Sequence, residues 1–531
     1  MAITPQKIDV IISALQNESG RKILFPHYGS DFSLVSRRAS LLGKTVSFFR
    51  QTYPDKKELY LLRVPARINL MGVHIDHRGG WCNYVPIARE TFFCFSPRQE
   101  DRISANNIDP HYHDVAFSMG QEIPPEQRGN WLQFLQSASL TRGDWGNYLK
   151  AGALKLQDRF ADMSLRGIDA TIGGDIPPGS GLSSSSSLVV GITMALQQAN
   201  RLTLSNAELV DICGSGEWYV GTRGGAGDHS AMLLGERNCV AHTGFMPLTC
   251  QHYPFPEGYN VILAHCGKEA AKASGARKTF NARIAAYEIA FLLFREQHPA
   301  WRERLHYLRD ISPEALDAGW EEIYQALKEI PLKASRNQLL KSYPALEEDF
   351  DRIFNLYGET EDLPLREVLL FGIAECDRAK RFPQLLREGK IGEAGELMYI
   401  SHDGDRVSVW KNGISRPYRF DAGDERIDEW AESARRSLDD FRQAAAYRPG
   451  GYRCSIPELD RMVDRCRELE GVAGAGLTGA GLGGSILALT KEEYAKKTAE
   501  ELKALIASWT EGEPLVEICQ PAAGAGYIEI P

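Results

Sequence analysis

The chain has no block of consecutive basic residues, and its formal net charge is −9. A nucleic-acid partner calls for a basic stripe, so none is expected. No apolar run nears the ~20 residues that a transmembrane helix needs, so no membrane partner is expected either. The opening residues, Met1-Ala2-Ile3-Thr4-Pro5-Gln6-Lys7, lack the charged segment and apolar core of a secretory signal. The ten cysteines, Cys82 to Cys519, include no C-x-x-C pair. They fit reduced thiols of a cytoplasmic protein better than a disulfide frame or a zinc site. No internal repeat is detectable. What remains is an ordinary globular composition, 43% hydrophobic and 25% charged over 531 residues, long enough for two or more domains.

The most informative segment present is Ile176-Pro177-Pro178-Gly179-Ser180-Gly181-Leu182-Ser183-Ser184-Ser185-Ser186-Ser187-Leu188. Gly179 and Gly181 allow close backbone approach to a bulky anion. The serines suit a helix N-terminus, where free N–H groups and the dipole favour negative charge. Leu188 to Leu196 then reads as a buried helix. Such a loop is a phosphate cradle. It is not a Walker A loop, because no Gly-Lys-Ser/Thr closes it. Taken alone, a run of serines also fits a flexible linker.

Two further segments decide between these readings. One is Arg63-Val64-Pro65-Ala66-Arg67-Ile68-Asn69-Leu70-Met71-Gly72-Val73-His74-Ile75-Asp76-His77-Arg78-Gly79-Gly80; the other is Gly476-Leu477-Thr478-Gly479-Ala480-Gly481-Leu482-Gly483-Gly484-Ser485. With the serine loop between them, they resemble the three signature motifs of the GHMP small-molecule kinase superfamily, the first in its galactokinase form. Asp144-Trp145-Gly146-Asn147-Tyr148, Tyr219-Val220-Gly221 with Gly225-Ala226-Gly227-Asp228, Leu397 to His402 and Ser455 to Asp460 match further family segments. Their order and spacing agree from residue 60 to 490.

The resemblance implies an α+β, two-lobed GHMP kinase fold: a ribosomal protein S5 domain 2-like N-terminal lobe and an α/β C-terminal lobe, with helical insertions. The expected division is a helical extension over 1–58, a first lobe over 59–260 carrying the phosphate loop, and a second lobe over 261–531. Leu59 to Val64 and Thr91 to Phe95 read as strands by their apolar runs. Ile8 to Leu15, Leu34 to Tyr53, Ile284 to Glu296, Gly372 to Glu388 and Ile391 to Met398 read as amphipathic helices. Residues 317–363 and 403–452 exceed the family pattern and read as insertions, more simply surface elaboration than a lid.

The same resemblance supplies the chemistry: transfer of a phosphoryl group from ATP, with Mg²⁺, to the C1 hydroxyl of a galactose-configured sugar. Phosphoryl transfer needs positioning, charge stabilisation, a metal and a proton acceptor. Asp228 is the expected base or charge partner, and Arg67 the expected stabiliser that keeps it ionised. Pro178, Gly179, Ser180, Gly181, Leu182, Ser183, Ser184, Ser185 and Ser186 form the expected phosphate cradle. Ser185 and Glu217 are the expected Mg²⁺ ligands, Glu217 lying one position from where the family pattern has its Glu. His74 and Asp76 match the family's sugar-binding pair, Asp76 because a carboxylate accepts from two adjacent hydroxyls. Gly479 and Gly481 belong to the third motif, which packs beside the loop and the substrate in the family.

Departures from the galactokinase pattern cluster at the sugar. Val73 stands where the family has a Glu that binds the terminal hydroxymethyl group, His77 where it has Tyr, Arg223 where it has Pro, and Phe280 where it has a sugar-contacting Tyr. Losing a carboxylate and gaining an arginine suits a sugar carboxylate, which Glu would repel and Arg can pair in a bidentate fork. Galacturonokinases of the same family share this pattern. D-Galacturonate, D-galactose and L-arabinose all remain open, since a few pocket contacts decide between them. A non-catalytic sugar and ATP sensor on the same fold is the rival, and retention of Arg67, Asp228 and an unbroken serine loop argues against it. The oligomeric state is not legible.

Overall fold

The computed structural model describes residues 3–138, 140–141, 143–221, 224–269, 274–358, 362–437 and 441–530. Two antiparallel-rich sheets organise it. The first has nine strands in the order β1-β2-β3-β6-β4-β5, with β15 added to β2, β7 to β3 and β8 to β7. These are β1 (Gln6–Lys7), β2 (Glu58–Met71), β3 (Trp81–Pro97), β4 (Arg102–Asn107), β5 (Val115–Ser118), β6 (Ile168–Gly174), β7 (Cys239–Gly244), β8 (Thr249–Pro254) and β15 (Gly526–Tyr527). Only β4 and β6 pair in parallel. The second sheet has the order β12-β13-β9-β14, built from β9 (Tyr259–His265), β12 (Val472–Thr478), β13 (Ser485–Lys491) and β14 (Val516–Cys519). A separate hairpin joins β10 (Ser408–Lys411) to β11 (Ile414–Pro417).

Strand β2 shows why the apolar run reads as it does. Alternate side chains leave a strand on opposite faces. Leu59 and Leu61 enter a cluster with the N-terminal helices Ile8–Gln16 and Phe32–Thr52. Leu62 and Val64 enter another with the helices Gly146–Arg159 and Ser184–Ala199. Both faces are covered, so the strand is nearly continuously buried rather than alternating. The strand runs well past the expected Val64, to Met71, and so carries Arg67 and Asn69 into the cleft.

The helices of the second half also extend beyond their expected limits: Ser274–Gln297, Leu365–Arg387 and Ile391–Asp405. The first and second share the largest apolar cluster with Ile68, Leu70 and Met71 of β2. The two stretches read as insertions pack on each other. The helix Trp320–Leu327 meets the helix Asp424–Arg436 through the rings of Tyr324 and Trp430, beside a Lys328–Asp428 ion pair at 2.8 Å.

Three boundaries differ from expectation. Residues 1–58 are not purely helical, because Gln6 and Lys7 pair with Leu59 and Glu58. The second sheet begins at Tyr259, two residues before the expected boundary. The end of the chain does not stay in the second lobe. Gly526 and Tyr527 pair with Arg63 and Leu62, and Ile528 is buried with the N-terminal helices. A two-residue strand has too little pattern to be read from sequence.

Candidate active site

The cleft between the sheets brings the three glycine- and serine-rich segments together. Strand β6 ends at Gly174, the serine loop follows, and the helix Ser184–Ala199 begins after Ser183, whose φ is +61°. The first helical hydrogen bond runs from Ser187 N to Ser183 O. The amides of Ser184, Ser185 and Ser186 therefore lie outside the helix ladder, as an anion site requires. The third motif turns directly over this loop. Gly479 has φ +88°, and a Cβ there would come within 3.0 Å of Gly181 O. Ser485 Oγ donates to Ser180 O at 2.8 Å, and Gly481 packs on the Cys454 carbonyl.

The loop's residues divide between support and display. Leu182 is buried in the apolar core, so it anchors the loop rather than facing a ligand as expected. The Ser180 hydroxyl donates back to Pro177 O at 2.7 Å, which occupies it within the turn. Pro178 is exposed, while Gly179, Gly181, Ser183, Ser184 and Ser185 are partly exposed.

Arg67 and Asp228 meet across the cleft floor. Arg67 Nε donates to Asp228 Oδ1 at 2.7 Å, and Nη1 donates to Gly181 O at 2.7 Å. One guanidinium thus ties the carboxylate to the phosphate loop. Ser183 Oγ donates to Asp228 Oδ2. The arginine side chain is 5% exposed and the aspartate 33%, so the carboxylate is the accessible member. It stands in the first turn of the helix Gly227–Leu234, where the dipole favours negative charge.

Asp76 lies next to that turn. Its Oδ2 accepts from Gly227 N at 3.1 Å, and its Oδ1 contacts His77 Nδ1 at 3.1 Å. A Cβ at Gly225 would stand 2.3 Å from Asp76 Oδ2, so glycine is required for this approach. Burial opposes the Asp76 charge, but the His77 hydrogen bond and charge and the Gly227 and His77 amides outweigh it and hold its pKa at about 2. Burial also lowers the His77 pKa, with Asp76 opposing.

Glu217 ends the helix Asn206–Glu217 and reaches the serine loop. Its Oε2 accepts from Ser186 Oγ at 2.7 Å and lies 2.8 Å from His229 Nε2. Burial would raise its pKa, but His229 first, then Ser186 and Ser185, bring it below the usual value. A deprotonated carboxylate among hydroxyls suits Mg²⁺, which takes one or two protein ligands and keeps water. Among the described residues, no group of three or more His, Cys, Asp or Glu could hold a metal. Ser186, not one of the two expected metal ligands, is the serine whose hydroxyl bonds directly to Glu217. His229 carried no sequence signal, since its place depends on a helix–helix contact.

The segment around His74, expected to meet the sugar, is organised differently. His74, expected as one of the sugar-binding pair with Asp76, has a side chain 2% exposed, with Nε2 3.3 Å from Asp405 Oδ2, and Tyr452 stacks on it with ring centroids 4.2 Å apart. Val73 is likewise buried. The backbone amides of Gly72 and Val73 donate to Glu375 Oε1 at 2.8 and 3.0 Å. Glu375 also accepts from Arg378 Nε at 2.7 Å, and both side chains are fully buried. Phe280 is partly exposed and meets the His74 ring edge-on. One turn later, Arg283 Nε donates to Tyr452 O at 2.6 Å. Arg223 lies outside the described residues.

This geometry coincides with three family matches. The GHMP kinases N terminal domain matches residues 147–236, the GHMP kinases C terminal domain matches 423–507, and the galactokinase galactose-binding signature matches 47–97. The C-terminal match begins inside the stretch 403–452 expected as an insertion. Relatives run nearly the whole length. A galactokinase of Roseiflexus sp. (strain RS-1) is 24% identical over 92% of this chain and 97% of its own. A galactokinase of Chloroflexus aggregans is 26% identical over 90% and 96%. The crystal structure of Lactococcus lactis galactokinase complexed with galactose superposes with a TM-score of 0.62 at 21% identity, covering 90% of this chain and 98% of that one. The fold is thus the GHMP kinase fold, with its N- and C-terminal domains both matched. The chain carries the galactokinase galactose-binding signature and is similar along nearly its whole length to galactokinases. No helix among the described residues is long and apolar enough to cross a membrane.

Proposed function

We propose that this protein transfers the γ-phosphoryl group of ATP to the anomeric C1 hydroxyl of a galactose-configured sugar, yielding the sugar 1-phosphate and ADP. The single observation that carries this reading is the Arg67–Asp228–Ser183 constellation, tied to the phosphate loop through Gly181 O. Each Asp228 oxygen accepts one hydrogen bond and keeps a lone pair for the attacking hydroxyl. Asp228 orients that hydroxyl and receives its proton. Arg67 keeps the carboxylate in place and offsets charge that grows on the transferred phosphoryl oxygens. The free amides of Ser184, Ser185 and Ser186 receive phosphate oxygens. Glu217, with the hydroxyls of Ser185 and Ser186, would hold Mg²⁺, which would offset phosphate charge there. Asp76 accepts from adjacent sugar hydroxyls.

D-Galacturonate is the first substrate candidate. The side chain at position 73 is an uncharged valine, so it does not itself repel a sugar carboxylate. Arg283 is held beside Tyr452 by its bond to the Tyr452 carbonyl, and Arg223 adds a second cation from the sequence. The matched galactose-binding signature favours a second reading, neutral D-galactose, with L-arabinose its pentose counterpart. Coupled ADP release with MgATP against D-galacturonate, D-galactose, L-arabinose and D-glucuronate decides between them. Preference for galacturonate is the expected outcome. Preference for a neutral sugar removes the carboxylate reading and leaves the kinase standing, whereas no turnover of any sugar with intact ATP and sugar binding favours the sensor.

A further inference from the structure

The serine loop is rooted at Asp175, the residue between β6 and Ile176, and this root is held by three residues from two parts of the chain, Glu90 and Arg89 on β3 and Arg38 on the N-terminal helix. Asp175 N donates to Glu90 O at 3.1 Å, and Glu90 N donates back to Asp175 Oδ1 at 3.0 Å. Arg38, on the N-terminal helix Phe32–Thr52, pairs with Asp175 Oδ2 at 2.5 Å with its side chain 9% exposed. Arg89 Nη1 donates to the Asp175 carbonyl at 2.9 Å and stands 3.5 Å from Asp175 Oδ2. The rest of the Arg89 guanidinium makes a bidentate pair with Glu517, Nε to Oε2 at 2.9 Å and Nη2 to Oε1. Glu517 lies on β14, the edge strand of the second sheet.

One planar guanidinium therefore spans the entry to the phosphate loop and the second lobe. A bidentate fork fixes orientation as well as distance, which a single point contact does not. None of Arg38, Arg89, Asp175 and Glu517 contacts Arg67, Asp228 or Glu217 in the structure, so their influence on the reaction passes through the loop's position. Small displacements of a positioning element cost large factors in rate. The N-terminal extension then has a purpose that its sequence did not disclose: Arg38 supplies the third tie.

We propose that Arg89 is a positioning residue for phosphate binding, coupling the seat of the serine loop to the second lobe through Glu517, with Arg38 bracing the same root from the N-terminal extension. This inference rests on the reading of the loop as the ATP phosphate cradle. Arg89→Gln removes the fork, Glu517→Gln removes its acceptor charge, and Arg89→Glu with Glu517→Arg reverses the pair.

The test measures the Kd of the full chain for MgATP by direct titration, without sugar, alongside Tm, and the kcat and both KM values on whichever sugar the wild type turns over. Arg89→Gln and Glu517→Gln are each expected to weaken MgATP by about tenfold, as loss of a charged hydrogen-bonded pair does. Sugar KM is expected to stay within about twofold, since the sugar end hangs on other residues. The reversed pair is not expected to recover the loss, because a carboxylate at position 89 would face Asp175 and could not donate to its carbonyl. If Arg89→Gln does not fold, Glu517→Gln, which leaves the Arg89–Asp175 contact, is read alone against the same expectation. Lowered Tm with unchanged MgATP affinity and kcat would make the network purely structural and overturn the proposal. Weakened binding in Arg89→Gln with wild-type behaviour in Glu517→Gln would overturn the coupling to the second lobe. A wild-type chain that binds no MgATP sinks the cradle reading itself, a failure distinct from either.

Discussion

The proposed phosphate end, at the serine loop, and the proposed sugar end, around Gly72 to Asp76, are built on different plans. At the proposed phosphate end, the unladdered amides of Ser184, Ser185 and Ser186 come from one segment, although Arg67 and Ser485 close on that loop from more than a hundred residues away. At the sugar end, motif one is gripped from behind by groups hundreds of residues away: Glu375 on the amides of Gly72 and Val73, Asp405 on His74, and Tyr452 stacked on its ring. A loop that binds phosphate needs free N–H groups, which any sequence with the right φ/ψ supplies. A pocket that distinguishes sugars needs side chains locked in particular places, and that locking is supplied by distant packing. The first end is accordingly suited to one chemistry, and the second to divergence among substrates.

Four substitutions or conditions put this contrast under strain. Asp228→Asn should have the largest effect. It removes the proton acceptor and leaves the buried Arg67 guanidinium without a counter-charge, and kcat is expected to fall about a thousandfold. Steady-state ADP release checks it, with MgATP affinity retained as evidence that the cradle is intact.

Glu375→Gln tests the grip on the sugar end. Glu375 and Arg378 are both fully buried, so removing one charge strands the other. A loss of about 3 kcal/mol in unfolding free energy is expected by urea titration. Sugar KM should rise while MgATP affinity holds. A fall in MgATP affinity matching the rise in sugar KM would erase the distinction between the ends.

Val73→Glu adds the carboxylate that the wider family carries. The kcat/KM ratio of galacturonate to galactose is expected to fall by about tenfold or more, through like-charge repulsion. Reading a ratio within one preparation removes any general loss of folded protein.

The smallest effect is on pH stability. Burial brings the pKa values of His27 and His242 down to about 4 from 6.5, with the Arg63 charge adding to the shift at His27. Between these values the unfolded chain binds protons that the folded one does not, so stability falls as pH drops from 7 towards 4. A Tm lower by about 2–4 °C at pH 5.5 than at pH 7.5 is expected, blunted in His242→Asn. Neither histidine faces the cleft's ligand groups, so this loss should affect both ends equally.

The same contrast explains what the sequence disclosed. The serine loop, the Arg67 strand and the Gly479 turn are contiguous patterns whose backbone demands are local, and the structure brings all three into one cleft. Arg67 and Asp228 are 161 residues apart, and only the family pattern joined them. Nothing in the sequence linked Tyr452 to His74, because a stacking partner at the end of a 50-residue stretch has no local signature. The same holds for Glu375, which reads as one polar position on an apolar helix, and for the return of Gly526 and Tyr527 to the first sheet. Leu182 and Ser180 sit within a recognisable loop, yet face inward, since a motif marks a segment and only packing decides which side chains point out.

The central claim is that the Arg67–Asp228 pair directs phosphoryl transfer to an anomeric hydroxyl. The most direct test is the ³¹P spectrum of the wild-type reaction with MgATP and each sugar of the panel. The account predicts a new phosphomonoester resonance coupled to the anomeric proton, formed together with ADP and absent with Asp228→Asn. Phosphate on any other carbon, or an equal product yield from Asp228→Asn, would contradict it.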